Sequence, residues 1–324
     1  MYMKETQAYK ACDWDQAKQS LPAVIMPKID GVRAHAPGVR ILARSNKPFG
    51  NKHTNYFFTD EMVHGFDGEL AAEHETHPDL CRLTTSATST RAGEPFLLWH
   101  LFDYITDGTR PLGYLSRLGY LADRVHELQA MPGSREGIAG RLRLVPWQIV
   151  HSLDEIEEVD EKNLLAGYEG SILRSPSGLH KQGRGTLREQ GFLRIKRFIQ
   201  EDAVVVSLEQ GNTNTNPALI NEVGYQYRTS HQQGMVPNGM VGALICRTIK
   251  DAVDPFTKKV LIAAGSEIRV GPGRMTEKEA KMYWENQHML LGRVISYKFF
   301  PKGLKDKPRF PTFEVLRAPE DVVT

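Results

Sequence analysis

The residue with the most chemistry to offer is Lys28, in Pro27-Lys28-Ile29-Asp30-Gly31-Val32-Arg33. It follows the apolar stretch 23–26 and precedes an Asp-Gly turn, so the pattern predicts a lysine at the mouth of a sheet. Such a lysine becomes a nucleophile when it loses its proton. Its ordinary pKa is about 10.4, so attack at neutral pH needs nearby cations or a metal ion to depress that value. Phe66-Asp67-Gly68-Glu69-Leu70 sets two carboxylates two residues apart, on one side of a strand. That pair suits a ribose hydroxyl or a hard cation. Glu169 and Gly170 open a further segment, at a turn, which runs through a strand to Arg174. In Phe192-Leu193-Arg194-Ile195-Lys196-Arg197-Phe198, period two puts Arg194 and Lys196 on one face. Two parallel cations can hold a triphosphate or stabilise a pentavalent phosphorus. Phe102, in Trp99-His100-Leu101-Phe102-Asp103-Tyr104, offers a ring to cover a purine.

These parts need elements to hold them. Residues 39–43, 96–102 and 144–150 read as strands, the last weakened by Pro146. Leu115, Leu118, Leu121, Val125 and Leu128 recur at helical spacing and predict an amphipathic helix over 114–128. Ser152 with Glu155 three residues on is a capping-box start for an acidic, exposed helix. After residue 200 the texture changes. Segments 204–208, 241–245, 260–264, 267–270 and 294–300 read as strands, with one helix at 276–289, a pattern compatible with a small OB-type barrel. The polar segment 211–239 reads as a long loop, functional or disordered. The expected fold class is α+β, and no internal repeat is visible.

Composition excludes several classes. At about 100–200 residues per domain, 324 residues suggest two domains. Hydrophobic residues at 40% and charged residues at 25% are ordinary globular values and argue against disorder, collagen or coiled coil. No apolar run approaches the ~20 residues of a membrane helix, and the first ten residues are unlike a secretory signal. Cys12, Cys81 and Cys246 form no CxxC pair, which excludes a disulfide framework or cysteine-rich zinc finger and suits a reducing cytoplasm. The net charge of +2 hides a segregation. Segment 151–163 is acidic. Segment 180–197 holds Lys181, Arg184, Arg188, Arg194, Lys196 and Arg197, and segment 293–309 holds Arg293, Lys298, Lys302, Lys305, Lys307 and Arg309. Two basic blocks on a near-neutral chain predict a localised polyanion-binding face; plain solvated charge is the alternative.

The segments KIDGVR, ARSNK around Arg44, FDGEL, LFDY, EGSILR and LRIKR occur in this order over residues 28–197. Together they resemble the motifs of the covalent nucleotidyltransferases, which include DNA ligases, RNA ligases and mRNA capping enzymes. The chain most resembles ATP-dependent DNA ligases of the small viral and phage type. The likeness continues through HKQGRGTLREQ, GNTNTN, YQYRTSH and YKFFPKGLKDKPRFPTFEVLR, from Pro22 to Arg317. It implies a nucleotidyltransferase (ATP-grasp-like adenylation) domain at 1–199, then a β-barrel OB-fold domain at 200–324 with a DNA-clamping latch at about 211–239. By the same resemblance, Lys28 attacks the α-phosphate of ATP and carries AMP, which passes to the 5′-phosphate of a nick before the 3′-hydroxyl seals the strand. Arg194 and Lys196 then act on the α-phosphate. Arg33, Arg44, Glu69, Phe102, Glu169 and Arg174 serve the nucleotide, and Glu169, with Asp30 and Glu69, serves Mg²⁺ or Mn²⁺. Arg33, Arg44, Arg184, Asn212, Asn214, Tyr227, Arg228, Lys302 and Arg309 are the implied DNA contacts. The implied partner is nicked duplex DNA, met by a cytoplasmic monomer that closes round it without an obligatory protein partner or a membrane.

One departure stands out. Arg194 occupies a position where the family usually has lysine, so charge is kept while the contact becomes a broader fork. An RNA-end ligase or a GTP-using capping enzyme is the alternative reading. A non-catalytic nucleic-acid-binding module is opposed by the intact Lys28, Glu69, Glu169 and Lys196. Glu73, His74, Glu75 and His77 read as an exposed polar loop, His100 as a neutral core histidine, and the cysteines as small buried side chains.

Overall fold

The computed structural model describes residues 8–132, 137–220, 226–256, 258–301 and 308–318. The chain divides into two compact units, Met1–Lys196 and Arg197–Thr324; the change in sequence texture placed the boundary near 199.

The first unit is built on two five-stranded sheets. In one, the order is Cys12–Asp13, Leu193–Arg194, Ser171–Arg174, Ala23–Pro27, Gln148–Val150. In the other it is Leu42–Ala43, Val32–His35, Phe66–Ala71, Leu98–Tyr104, Leu142–Leu144. The strand Ala23–Pro27 is buried along its whole length. Its alternate residues serve two cores, as period two requires. Val24 and Met26 join a large core with Ile172, Phe192, Leu70, Trp99 and Leu101. Ala23 and Ile25 join a smaller one with Leu173, Leu193, Ile195 and Ile156. Ile156 comes from the acidic helix Leu153–Leu165, whose N-cap Ser152 accepts from the Glu155 amide as its sequence predicts. The helix Tyr114–Ala130 buries Leu118, Leu121, Val125 and Leu128. The strand expected at 39–43 shrinks to Leu42–Ala43, and that at 144–150 splits into Leu142–Leu144 and Gln148–Val150. Pro146 falls between the two pieces because it has no N–H to give a ladder.

The second unit is built on a five-stranded antiparallel sheet, in the order Glu267–Val270, Met235–Thr248, Ile199–Asn214, Val294–Phe300, Arg309–Leu316. Its edge strands meet again where Gly271 donates to Pro311 O at 2.9 Å and accepts from the Phe313 amide at 2.9 Å. The curled sheet encloses Val205, Leu244, Ile268, Ile295, Tyr297 and Phe299, and the helix Glu277–Glu285 adds Ala280. Strand Arg309–Leu316 did not announce itself by alternation. Pro311 interrupts the pattern and is tolerated on an edge strand, where its carbonyl makes the closing bond.

Segment 211–239 is no structureless loop. Strand Ile199–Asn214 runs on into it, pairing Asn212 with Pro237 and Asn214 with Met235, and Ala218–Ile220 pairs with Gln226–Arg228. Polar composition hid this ribbon because asparagine amides replace apolar packing: Asn216 Nδ2 donates to Thr229 O and His231 O, each at 2.9 Å. Tyr225 lies outside the described residues. So do Lys302, Lys305 and Lys307.

Candidate active site

The register of the first sheet builds the site. Strand pairing aligns Pro27 with Ser171 and Ile172 with Arg194. The ladder continues past the strand ends: the Lys28 amide donates to Gly170 O at 2.8 Å, and the Glu169 amide to Lys28 O at 3.0 Å. Carried one step past the strand ends, one row reads Lys28, Gly170, Lys196, and the row two residues on, which faces the same way, reads Met26, Ile172, Arg194. Row mates share a face, and strands lie about 4.8 Å apart. Lys28, Lys196 and Arg194 thus occupy one face, with a residue lacking any side chain between the two lysines. Gly170 has φ +142°, and a Cβ there would lie 3.1 Å from Ile195 O. Glycine permits this backbone, which an L side chain rarely adopts.

Carboxylates converge on Lys28. Its Nζ donates to Glu169 Oε2, both side chains being about one-fifth exposed. Glu69 comes from the second sheet, opposite Arg33. Its side chain rests on the Asp-Gly turn: a Cβ on Gly31 would lie 2.9 Å from Glu69 Cγ and 2.1 Å from Leu70 O. Only glycine lets the turn pass so close. Desolvation pushes the Glu69 carboxyl up to about 7; Lys28 and Arg33 oppose the rise, while Glu169 and Asp30 add to it.

In the unfolded chain Glu69 ionises near 4.5, in the fold near 7. Between those values the fold holds the extra proton, so stability falls as pH rises. Glu69→Gln removes the penalty. Relative to wild type it should be favoured at pH 8 over pH 5 by about 2 kcal/mol, allowing for partial exposure. Urea midpoints at the two pH values measure this, and an equal difference at both would refute it.

Arg33 is largely buried and engaged by neighbouring groups. Its Nε and Nη2 reach Asp67 Oδ1 and Oδ2, both at 2.6 Å, and Nη2 also reaches Tyr9 O at 3.3 Å. Its guanidinium lies 4.5 Å from the Phe102 ring centroid, so one face of the ring expected to cover a purine is already covered. Arg174 is 1% exposed, and its Nη1 lies 2.8 Å from Asp103 Oδ2. Asp103 also accepts from Arg117 Nε at 2.7 Å and Nη2 at 3.1 Å. Burial alone would raise the Asp103 carboxyl, but Arg174 and Arg117 hold it well below the usual carboxylate range. Arg174 is thus held in a buried network with Asp103 and Arg117.

The remaining expected residues lie on several elements of the two units. Arg44 is exposed on the turn after Leu42–Ala43, and Arg184 is exposed on the strand Gly183–Arg184. On the ribbon, Asn212 is exposed, as are Tyr227 and Arg228; Arg228 Nη1 donates to Asn216 O. Asn214 is spent internally: its amide donates to Thr229 O at 2.9 Å and its Oδ1 accepts from the Asn216 amide at 3.0 Å. Arg309 is half-buried against Phe310. Asp30 is buried beside Lys28 in sequence. Among the described residues no three Asp, Glu, His or Cys side chains come together as a metal-holding group. Of the set Glu169, Asp30 and Glu69, Glu169 accepts from the Lys28 ammonium. Glu73 and His74 are exposed, and Glu75 and His77 half-buried, in one loop. His100 is buried, and desolvation lowers its pKa. Cys246 alone of the three free cysteines is fully buried. Among the described residues no helix is long and apolar enough to cross a membrane.

Sequence reasoning missed Tyr9, Asp13 and the pairing of Asp103 with Arg117. Tyr9 and Phe192 meet edge to face at 5.6 Å beneath Arg33. Asp13 touches Arg194 and Lys196. Each contact bridges distant segments, and no local pattern marks it.

The fold is that of DNA ligases, a nucleotidyltransferase unit followed by an OB-like unit. A family model described as the DNA ligase OB-like domain matches residues 233–317. The Chlorella virus DNA ligase–adenylate is similar over 96% of this chain and 99% of its own, with 23% identity and a TM-score of 0.51. A structure from work on Lig E DNA ligases, described as binding DNA with a minimal scaffold, is similar over 97% of this chain and 100% of its own, with 20% identity and a TM-score of 0.65. No curated protein sequence matches the chain.

Proposed function

We propose that the chain is an ATP-dependent DNA ligase that seals 3′-hydroxyl/5′-phosphate nicks in duplex DNA. The observation that carries this reading is the row Lys28, Gly170, Lys196. It sets a lysine and a cation on one face of the sheet, in a chain with the DNA ligase fold along nearly its whole length. Lys28 Nζ attacks the α-phosphorus of ATP; a P–N bond forms, the P–O bond to pyrophosphate breaks, and the amine gives up a proton. Arg194 and Lys196 meet the charge that builds on the phosphate oxygens, and the same pair serves again when AMP leaves the DNA end. Glu69 faces the nucleotide as an acceptor for a ribose hydroxyl. Mg²⁺ is ordinarily held by one or two carboxylates plus substrate phosphates, which fits Glu169 here and an ion that arrives with ATP. Bound so, Mg²⁺ or Mn²⁺ supplies charge compensation to the leaving pyrophosphate. Asn212, Tyr227 and Arg228 on the ribbon, with Arg44 and Arg184 on the first unit, are proposed phosphate and sugar contacts, which makes DNA affinity fall steeply with salt.

The test is sealing of a singly nicked, labelled duplex with Mg²⁺ and ATP, GTP or NAD, beside the same nick in RNA. Sealing of the DNA nick with ATP alone is expected. A labelled enzyme–nucleotide adduct without DNA sealing would shift the acceptor to RNA ends or a cap. No adduct with any nucleotide would overturn the reading.

A further inference from the structure

Asp13 sits on the short edge strand Cys12–Asp13, whose parallel partner residue is Arg194. Row mates share a face, so Asp13 projects where Arg194 and Lys196 do. Its Oδ1 accepts from Arg194 Nε at 2.6 Å and stands 3.3 Å from Lys196 Nζ. One carboxylate oxygen thus bridges both cations. The fold has little need of the contact. The strand is tied by its backbone, with the Cys12 amide donating to Phe192 O at 3.1 Å and the Trp14 amide to Arg194 O at 3.0 Å. The Asp13 side chain is 59% exposed.

We propose that Asp13 is a positioning residue for nucleotidyl transfer, holding the Arg194 guanidinium and the Lys196 ammonium side by side so that both meet one phosphate. The proposal rests on Lys28 being the nucleophile of that reaction. Arg194 and Lys196 are two apart in sequence and repel each other. A carboxylate between them offsets that repulsion and orders two long side chains before substrate arrives, which lowers the entropic cost of using them at the transition state. Burial works to raise the Asp13 carboxyl, but Arg194 and Lys196 overcome it and keep it below its ordinary value, so the bridge stays anionic at neutral pH.

Positioning predicts a split between kcat and KM. Asp13→Asn leaves the site more cationic, so ATP binds at least as well, while misaligned cations slow the chemical step by about tenfold or more. The experiment measures single-turnover formation of the lysyl adenylate from labelled ATP for wild type, Asp13→Asn and Asp13→Glu, with thermal midpoints alongside. The expected result is a slower limiting rate in Asp13→Asn, an ATP KM that is unchanged or lower, most of the rate restored in Asp13→Glu, and unchanged midpoints. A wild-type rate in Asp13→Asn, or a loss confined to a raised KM, would overturn the role of Asp13 alone. Absence of adduct in the wild type would overturn the nucleotidyl-transfer reading and this proposal with it.

Discussion

Lys28→Ala is expected to form no covalent enzyme–nucleotide adduct and to lose nick sealing by at least about 10⁴-fold, the scale on which enzymes lose activity when a nucleophile is removed. Lys28→Arg is the sharper variant. It keeps a cation for Glu169 to hold, but arginine does not deprotonate in proteins and cannot attack phosphorus. If the lysine matters only as a charge, Lys28→Arg retains activity; if it is the nucleophile, both variants fail alike. Neither should unfold the chain. The two ladder bonds at this position are backbone bonds and remain in both variants. The measurement is label retained on the protein from α-labelled ATP after denaturing electrophoresis. A labelled band in Lys28→Arg would refute the mechanism.

The residues that make this prediction possible were legible because their chemistry is local. Lys28 precedes an Asp-Gly turn, Glu169 precedes a glycine, and Arg194 and Lys196 alternate with apolar residues. Each signal sits within seven residues of chain, the range over which period and turn chemistry speak. The helices at 114 and 153 were legible for the same reason, through spacing and a cap. What the sequence could not disclose was which side chains are spent on one another. Arg33, Arg174 and Asn214 have the right types for ligand contact, yet Asp67, Asp103 and the ribbon carbonyls engage them. Those pairings depend on register between strands and on loop closure. The Asp13–Arg194 contact joins residues 181 apart, and no window of sequence contains both. The ribbon at 211–239 failed for a related reason: its order comes from asparagine amides and backbone pairing, and neither leaves an apolar alternation to read.

Arg174 belongs to a buried network around Asp103, and that network leads to the largest expected loss of stability. Asp103 is 1% exposed between Arg117 at 0% and Arg174 at 1%, so one carboxylate balances two guanidinium groups away from water. Asp103→Asn keeps the shape and removes the charge. The two arginines are then buried without a counter-ion, which costs about 3–5 kcal/mol, a large part of the ~5–15 kcal/mol that holds a domain together. The loss falls on the first unit, because Tyr114, against which Arg174 lies at 3.7 Å, donates to Phe102 O at 2.7 Å and ties the network to the strand that carries Phe102. Linkage gives a second readout. Asp103 ionises at lower pH in the fold than in the unfolded chain, where its ordinary value is 3.8. Its contribution is complete above that value and fades as pH falls through the folded one. The gap between wild type and Asp103→Asn in urea midpoint should therefore be wide at pH 7 and narrower at pH 3. A gap below about 1 kcal/mol at pH 7 would be the size of an exposed pair, and would mean that water reaches the arginines. Replacing Asp103, Arg117 and Arg174 together by apolar residues should cost less than Asp103→Asn alone, because the penalty lies in uncompensated charge more than in the bonds that are lost.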